Sequence, residues 1–232
     1  MILLFPQATR DFNILFEELV HESLADDFLN KAFQSYRMDD IEKVLFVILE
    51  NNVVNNHLSE FLEESNFIED FEIIELKKET SGSICTSLMA ISSLRNKNVI
   101  ISALDQIIID DQLNLDKNYF NEDNQVICPI FESNDQSLSY VLRDDLGNVI
   151  QLFEKKDISN EALLGVYFIK DFSLFFKNCH ELLIKYKGFK NRIFYTSDVI
   201  NCYLSKNMKC NFPKIYTNYV KIRSLDDFKN LK

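Results

Sequence analysis

Glycine is scarce in this chain, with 4 in 232 residues. A loop that wraps a triphosphate in successive backbone amides needs several glycines close together, and no stretch supplies them. Long apolar runs are missing too; none approaches the roughly eighteen residues that would cross a bilayer. The N-terminal MILLFPQATRDF has no basic leader and only a short apolar stretch, so no secretory signal is expected there. A cytoplasmic protein with no membrane partner is the expectation. The five cysteines (Cys85, Cys128, Cys179, Cys202, Cys210) are odd in number and scattered, with no CxxC pair. That excludes a zinc cluster or disulfide framework and leaves reduced, mostly buried thiols. The three histidines lie far apart, as surface or helix-edge residues. Basic residues are in deficit, 25 Lys and Arg against 36 Asp and Glu, and are not bunched into a stripe. The net charge of −11 therefore disfavours nucleic acid as a partner. A small anionic ligand stays open, because it needs only a few local donors.

What is present is core material. Apolar residues make up 47% and phenylalanine alone contributes 20, enough for one large α/β domain over residues 1–232. Ile2–Phe5 reads as a strand ending at Pro6. From Phe12 the apolar positions 12, 15, 16, 19 and 20 follow helical spacing, and Phe28, Leu29, Ala32, Phe33 and Tyr36 mark a second helix. VLFVIL (44–49) is a strand buried on both faces. A helix through Leu58, Phe61 and Leu62, the strand FEIIELK, the helix SICTSLMAISSL and the strand NVIISAL continue the alternation. Strands separated by helices imply right-handed crossovers and a parallel sheet. After about residue 120 the strands QVICPIFES, SYVLRDD, NVIQLFEK and LLGVYFIKD crowd together, with a hairpin turn at Leu146-Gly147. Phe172–Lys187 is the longest helix, and TSDVINCYLSKN is another, capped by Thr196 or Ser197 with Asp198 in its first turn. A strand pair, KCNFPKIY with YVKIR, and a helix from Ser224 follow. The pattern specifies a Rossmann-like three-layer α/β/α fold with a central mixed, mostly parallel sheet.

Ligands of such sheets bind beyond the carboxyl ends of the strands. Asp105, after NVIISAL, falls at such an end, where a carboxylate can hold Mg²⁺ or simply cap a turn. In ETSGSICTSL, Gly82 lies between strand and helix among Thr80, Ser81, Ser83 and Thr86. Small residues there either admit a ligand to free helix amides or make an ordinary turn. Glu154 and Lys155 end the VIQLFEK strand, as a phosphate and hydroxyl contact or as a surface ion pair. Gly165 lies inside a strand, where glycine needs a packing reason.

The succession of these blocks resembles the sugar-phosphate nucleotidylyltransferase family. The matching residues are Thr80, Gly82 and Thr86; Leu104, Asp105 and Gln106; Val149, Glu154 and Lys155; and Ser159, Ala162, Gly165, Val166, Tyr167 and Phe168. The resemblance spans roughly residues 40 to 230. It implies transfer of a nucleotidyl group from a nucleoside triphosphate to a sugar phosphate or similar phosphorylated acceptor, with pyrophosphate leaving. Such products serve surface-glycan or capsule synthesis. It assigns residues 1–120 to nucleotide and 121–232 to sugar phosphate. Asp105 would hold Mg²⁺ and act in catalysis with Lys155 and Arg10. Gly82, Ser83, Thr86 and Gln106 would contact nucleotide; Glu154, Asn160 and Gly165 would meet the sugar-phosphate side. Homo- or hetero-oligomers are compatible with it.

The chain departs from that pattern twice. The family's A-G-x-G-(S/T)-R loop with a following P-K is here FPQATRDF, which keeps Pro6, Ala8, Thr9, Arg10 and Phe12 without the glycines. A second metal aspartate near the C-terminus is replaced by YVKIRSLDDF, with Lys221 near the matching position. Asp226 and Asp227 belong by position to the first turn of the last helix. Three readings follow: a divergent nucleotidylyltransferase with Arg10 and nearby amides in place of the loop, a non-catalytic binding protein on the same scaffold, and a glycosyltransferase. The last lacks its D-x-D metal motif, since Asp105-Gln106-Ile107 has no second acid.

Overall fold

The apolar runs of the N-terminal third form strands where their composition demands it. In the computed structural model, which describes residues 1–65, 68–109, 123–156, 158–187 and 191–231, β1 (Ile2–Gln7) and β2 (Lys43–Leu49) pair in parallel, Phe5 opposite Phe46. β3 (Phe71–Leu76) pairs in parallel on the other side of β2, Ile73 opposite Phe46. Every residue of β1 is buried. β1 runs through Pro6 rather than ending there. Leu4 O accepts from Ser102 N (3.0 Å), and alternation turns Pro6 to the same side. There the 102–104 segment has left extended pairing, so the missing N–H of proline removes no ladder bond.

Helices α1 (Arg10–His21), α2 (Ala25–Gln34) and α3 (Asn52–Glu64) carry the periodic apolar faces read from sequence. Their phenylalanines meet edge-on or stacked: Phe33 packs against Phe5, Phe46 and Phe61, and Phe16 against Phe28. Asn51 caps α3 by accepting from Val53 N and Val54 N.

NVIISAL does not stay one strand. β4 is only Val99–Ile101, and after a turn the chain resumes as β5 (Gln106–Ile108). QVICPIFES likewise splits at Cys128-Pro129 into β6 (Val126–Ile127) and β7 (Ile130–Glu132). β8 (Ser139–Arg143) and β9 (Val149–Glu154) form the expected hairpin, and the Asp144 carboxylate accepts from Leu146 N and Asn148 N across its turn. LLGVYFIKD divides into β10 (Glu161–Leu163) and β11 (Tyr167–Ile169). Gly165 thus lies between two strands, at φ +84°, and not inside one. SICTSLMAISSL breaks into α4 (Ser83–Leu88) and α5 (Ile91–Leu94).

The later helices are α6 (Phe172–Lys185), α7 (Thr196–Ser205) and α8 (Leu225–Lys229). The N-cap of α7 is Tyr195 rather than Thr196 or Ser197, and the Asp198 carboxylate accepts from Tyr195 N (3.0 Å). Asp226 and Asp227 sit in the first turn of α8, as read. β12 (Cys210–Asn211) and β13 (Tyr219–Lys221) do not pair with each other, against expectation. β12 runs parallel to β6, and β13 runs antiparallel to β5. Pro213, between them, cannot extend a ladder in both directions.

The chain packs as two compact units that interleave in sequence. The first takes Met1–Thr80, the segment from Ser102 and the C-terminal stretch from Thr217; it holds β1–β2–β3 and the β5·β13 pair. The second takes Ser81–Ile101 and the stretch ending at Tyr216. Its strands run β4–β11–β6–β12, with β11 antiparallel to both neighbours, beside a sheet ordered β7–β10–β8–β9. The class is α/β with a mixed, mostly parallel sheet and flanking helices.

β9 is the edge of its sheet, and α7 closes that edge. Asn201 Oδ1 accepts from Leu152 N (2.8 Å) while its Nδ2 donates to Leu152 O (2.9 Å). Asn201→Ala leaves both main-chain groups without a protein partner. It is expected to lower stability by about 1–2 kcal/mol, read as a lower denaturant midpoint at unchanged m-value.

Candidate functional site

Asp105 lies in the turn between β4 and β5, and the end of α2 holds that turn at both sides. Tyr36 Oη bonds Ser102 Oγ at 2.5 Å, and Ser35 Oγ accepts from Ile108 N at 3.0 Å. Asp105 O accepts from Ile222 N (2.8 Å), which fixes β13 against it. The side chain that β13 presents is Lys221, opposite Gln106 in register, with Nζ 3.8 Å from Asp105 Oδ2. Arg223, two residues on, adds a second positive charge close enough to favour the carboxylate.

The enclosure is incomplete in its hydrogen bonding. The Gln7 side chain faces the buried Asp105 carboxylate, and Nε2 and Oδ1 fall short of a close hydrogen bond. Gln7 is 7% accessible. Gln106 Oε1 is also buried and unpartnered. Burial raises the Asp105 pKa above its usual value, and Lys221 foremost, then Gln7 and Arg223, work against that rise.

One helix end in this unit that could take an anion is the N-terminus of α1. Two protein groups already serve it. Thr9 Oγ1 accepts from Phe12 N (3.3 Å), and the Glu79 carboxylate accepts from Arg10 N (2.8 Å). Arg10 itself is exposed. Sequence reasoning missed Glu79, although its place beside the TSG turn offered a hint.

In the second unit the glycine of TSG has a structural reason. Gly82 stands at φ +111°, where a Cβ would lie 2.3 Å from Phe194 O and 2.8 Å from Phe194 N. Phe194 N donates to Ser81 O (2.7 Å). The backbone that Gly82 admits is therefore the chain's own. Arg192 pins the same segment: its guanidinium stacks 3.8 Å from the Tyr186 ring centre and pairs with Asp198 at 3.1 Å. Thr86 is 3% accessible, and its hydroxyl donates to Gly82 O. It serves the turn.

Two hydrogen-bonded groups meet at the start of α7, Ser83 in one and Glu154 in the other. The Ser83 hydroxyl meets Thr196 Oγ1 at 3.2 Å, and Ser197 Oγ donates to Glu154 Oε2 at 3.0 Å, which also receives Ser139 Oγ. Sequence reasoning had Thr196 and Ser197 only as caps. Lys155, just past β9, adopts φ +52°, donates its N–H to Leu138 O (3.0 Å) and lays Nζ over the Tyr195 ring at 5.3 Å. A non-glycine residue in that region stores about 1–3 kcal/mol of strain. Asn160 is exposed, and its carbonyl accepts from Ser133 N. The structure thus brings Ser83, Glu154 and Lys155 around the start of α7, and places Asp105 and Gln106 with Lys221.

The donor set at Asp105 does not fit a magnesium ion. Mg²⁺ takes six oxygens at about 2.0–2.1 Å. Asp105 is one carboxylate with an ammonium 3.8 Å away. Among the described residues no three His, Cys, Asp or Glu side chains come together. Also among the described residues, no helix is long and apolar enough to cross a membrane.

No protein-family model matches the sequence, and no curated protein does. Solved structures do match. A nucleoside-diphosphate-sugar pyrophosphorylase from Vibrio cholerae aligns over 99% of this chain and 98% of its own at 15% identity, with a TM-score of 0.75. A UDP-glucose pyrophosphorylase complexed with UDP-glucose aligns over 98% and 95% at 16% identity, TM-score 0.73. An inositol-1-phosphate CTP transferase from T. maritima aligns over 97% and 90% at 12% identity, TM-score 0.66. The chain has the fold of these nucleotidyltransferases over nearly their whole length.

Two outcomes test this description. Gly82→Ala is expected to destabilise by at least about 2 kcal/mol, because neither the positive φ nor the contact with Phe194 backbone tolerates a Cβ; thermal or urea unfolding reads it. A carboxyl whose folded pKa exceeds its unfolded value of about 3.9 binds its proton more tightly when native, so stability falls as pH rises above that value. Asp105→Asn should therefore raise the Tm at pH 7, and the gain should vanish below about pH 4.

Proposed function

We propose that this chain is a nucleotidyltransferase-type protein acting on a nucleoside triphosphate or nucleotide-sugar and a sugar phosphate or similar phosphorylated small molecule, in the supply of surface-glycan or capsule precursors. The observation that carries the reading is the pair of hydrogen-bonded groups, Ser83 with Thr196 and Glu154 with Ser197 and Ser139, beside the ammonium of Lys155, on a fold shared with nucleotidyltransferases over nearly the full length of both chains.

In the reaction an oxygen of the acceptor phosphate attacks the α-phosphorus of the triphosphate. A new P–O–P bridge forms, the bond from the α-phosphorus to the bridging oxygen of the β-phosphate breaks, and pyrophosphate leaves with the electron pair. No proton has to move at the attacking oxygen, which is already anionic. The protein's task is then to align two anions and offset their charge. Lys155 provides an exposed cation for the acceptor phosphate. The hydroxyls of the two groups and Glu154 suit sugar hydroxyls, since each can exchange an internal bond for one to the ligand. Gln106 and the amides near Arg10 fall to the nucleotide in this reading.

A second reading, a binding protein without turnover, is favoured by Glu79. Its carboxylate takes the first amide of α1, an amide that a triphosphate would otherwise use.

Calorimetry with the four nucleoside triphosphates, beside a pyrophosphate-release assay with a panel of sugar phosphates, separates the two. Release that depends on the acceptor, and that Lys155→Ala lowers at least about tenfold with a larger effect on acceptor KM than on triphosphate KM, supports the transferase. Nucleotide binding with no release in any pairing supports the binding protein, and binding of none of them sinks both.

A further inference from the structure

Lys221 is held more firmly than a surface lysine. It sits in register opposite Gln106 in the β5·β13 pair, and the next amide, Ile222 N, donates to Asp105 O at 2.8 Å. The lysine side chain is 32% accessible, and that of Asp105 is 22% accessible. The backbone therefore delivers the ammonium to the carboxylate. A divalent ion at Asp105 would meet that ammonium at close range, with the Arg223 guanidinium adding to the repulsion.

Asp105 contributes one negative charge against Lys221 and Arg223. The acids of α8 are the other charged groups close in sequence: Asp227 accepts from Arg223 N (2.8 Å) through its carboxylate, and Asp226 shares the first turn with it. Beside the ion pair, the Gln7 side chain faces the Asp105 carboxylate and favours its charged form.

We infer that Lys221 supplies at Asp105 the positive charge that a divalent cation would bring, and that this site takes the phosphate oxygens of a nucleotide without a metal ion. Lys221 receives a phosphate oxygen as a point charge, and Asp105 orients the ammonium. The ligand named here rests on the nucleotide reading above; the exchange of metal for lysine does not.

Mn²⁺ alone, titrated into the full chain and followed by electron paramagnetic resonance, tests the exchange without nucleotide or turnover. The native protein is expected to show no submillimolar Mn²⁺ site that Asp105→Asn abolishes, whereas Lys221→Asp is expected to gain one. A native site lost in Asp105→Asn overturns the inference. Calorimetry with a nucleoside diphosphate then tests the ligand. Its affinity should be the same in EDTA and in Mg²⁺, and Lys221→Met, which keeps the bulk of the side chain, should weaken it about tenfold, or about 1.4 kcal/mol. Loss of binding in EDTA overturns the metal-free site. No binding in any buffer overturns the nucleotide reading and the ligand named here, while the Mn²⁺ result still decides the exchange.

Discussion

Keeping one carboxyl, Asp105, beside one ammonium in a largely enclosed turn is the constraint around which the first unit is arranged. Taking a carboxylate out of water costs several kcal/mol unless a partner and hydrogen bonds offset it. The unit meets that demand with backbone rather than with more side chains. Tyr36 and Ser35 hold the ends of the 102–108 segment, and Asp105 O anchors Ile222 N. The arrangement is only partly satisfied, since Gln7 Nε2 faces Asp105 Oδ1 without a close hydrogen bond. Incomplete satisfaction of this kind is destabilising and marks a place where polar contact with something else is favourable.

The second unit solves a different problem. Its polar groups are built where α4, α7 and the hairpin of β8 and β9 converge, and convergence requires two backbones to pass closely. Gly82 makes that possible by lacking a Cβ against Phe194. Arg192 then locks the 192–198 segment between an aromatic face and Asp198. Glu154 is fixed by two hydroxyls. Preorganisation of that sort lowers the ordering cost of binding a small polar ligand.

Two charged positions of the first unit are filled from within by its own residues. Glu79 stands at the first amide of α1, and Lys221 stands at Asp105. One is an internal anion at a helix N-terminus, the other an internal cation at a carboxylate. Such a chain meets ligands with fewer unneutralised groups than an empty phosphate loop and an open metal site would present.

The order of helices and strands was legible in the sequence because periodicity reports local burial: VLFVIL could only be a buried strand, and positions 12 to 20 only one face of a helix. The α/β class and the blocks around Gly82, Asp105, Glu154 and Lys155 followed from the same local information. The partners of those blocks did not. Strand pairing, such as β13 with β5 instead of β12, depends on contacts more than a hundred residues apart, which no window of sequence reports. For the same reason Lys221 could be read as a missing aspartate but not as the ion partner of Asp105. Gly82 could be read as room for a ligand but not as room for Phe194. The sequence by itself determined which residues are apolar, which carry charge and where glycine is absent; only the tertiary structure decided which charge faces which, because burial and register set the distances over which those charges act.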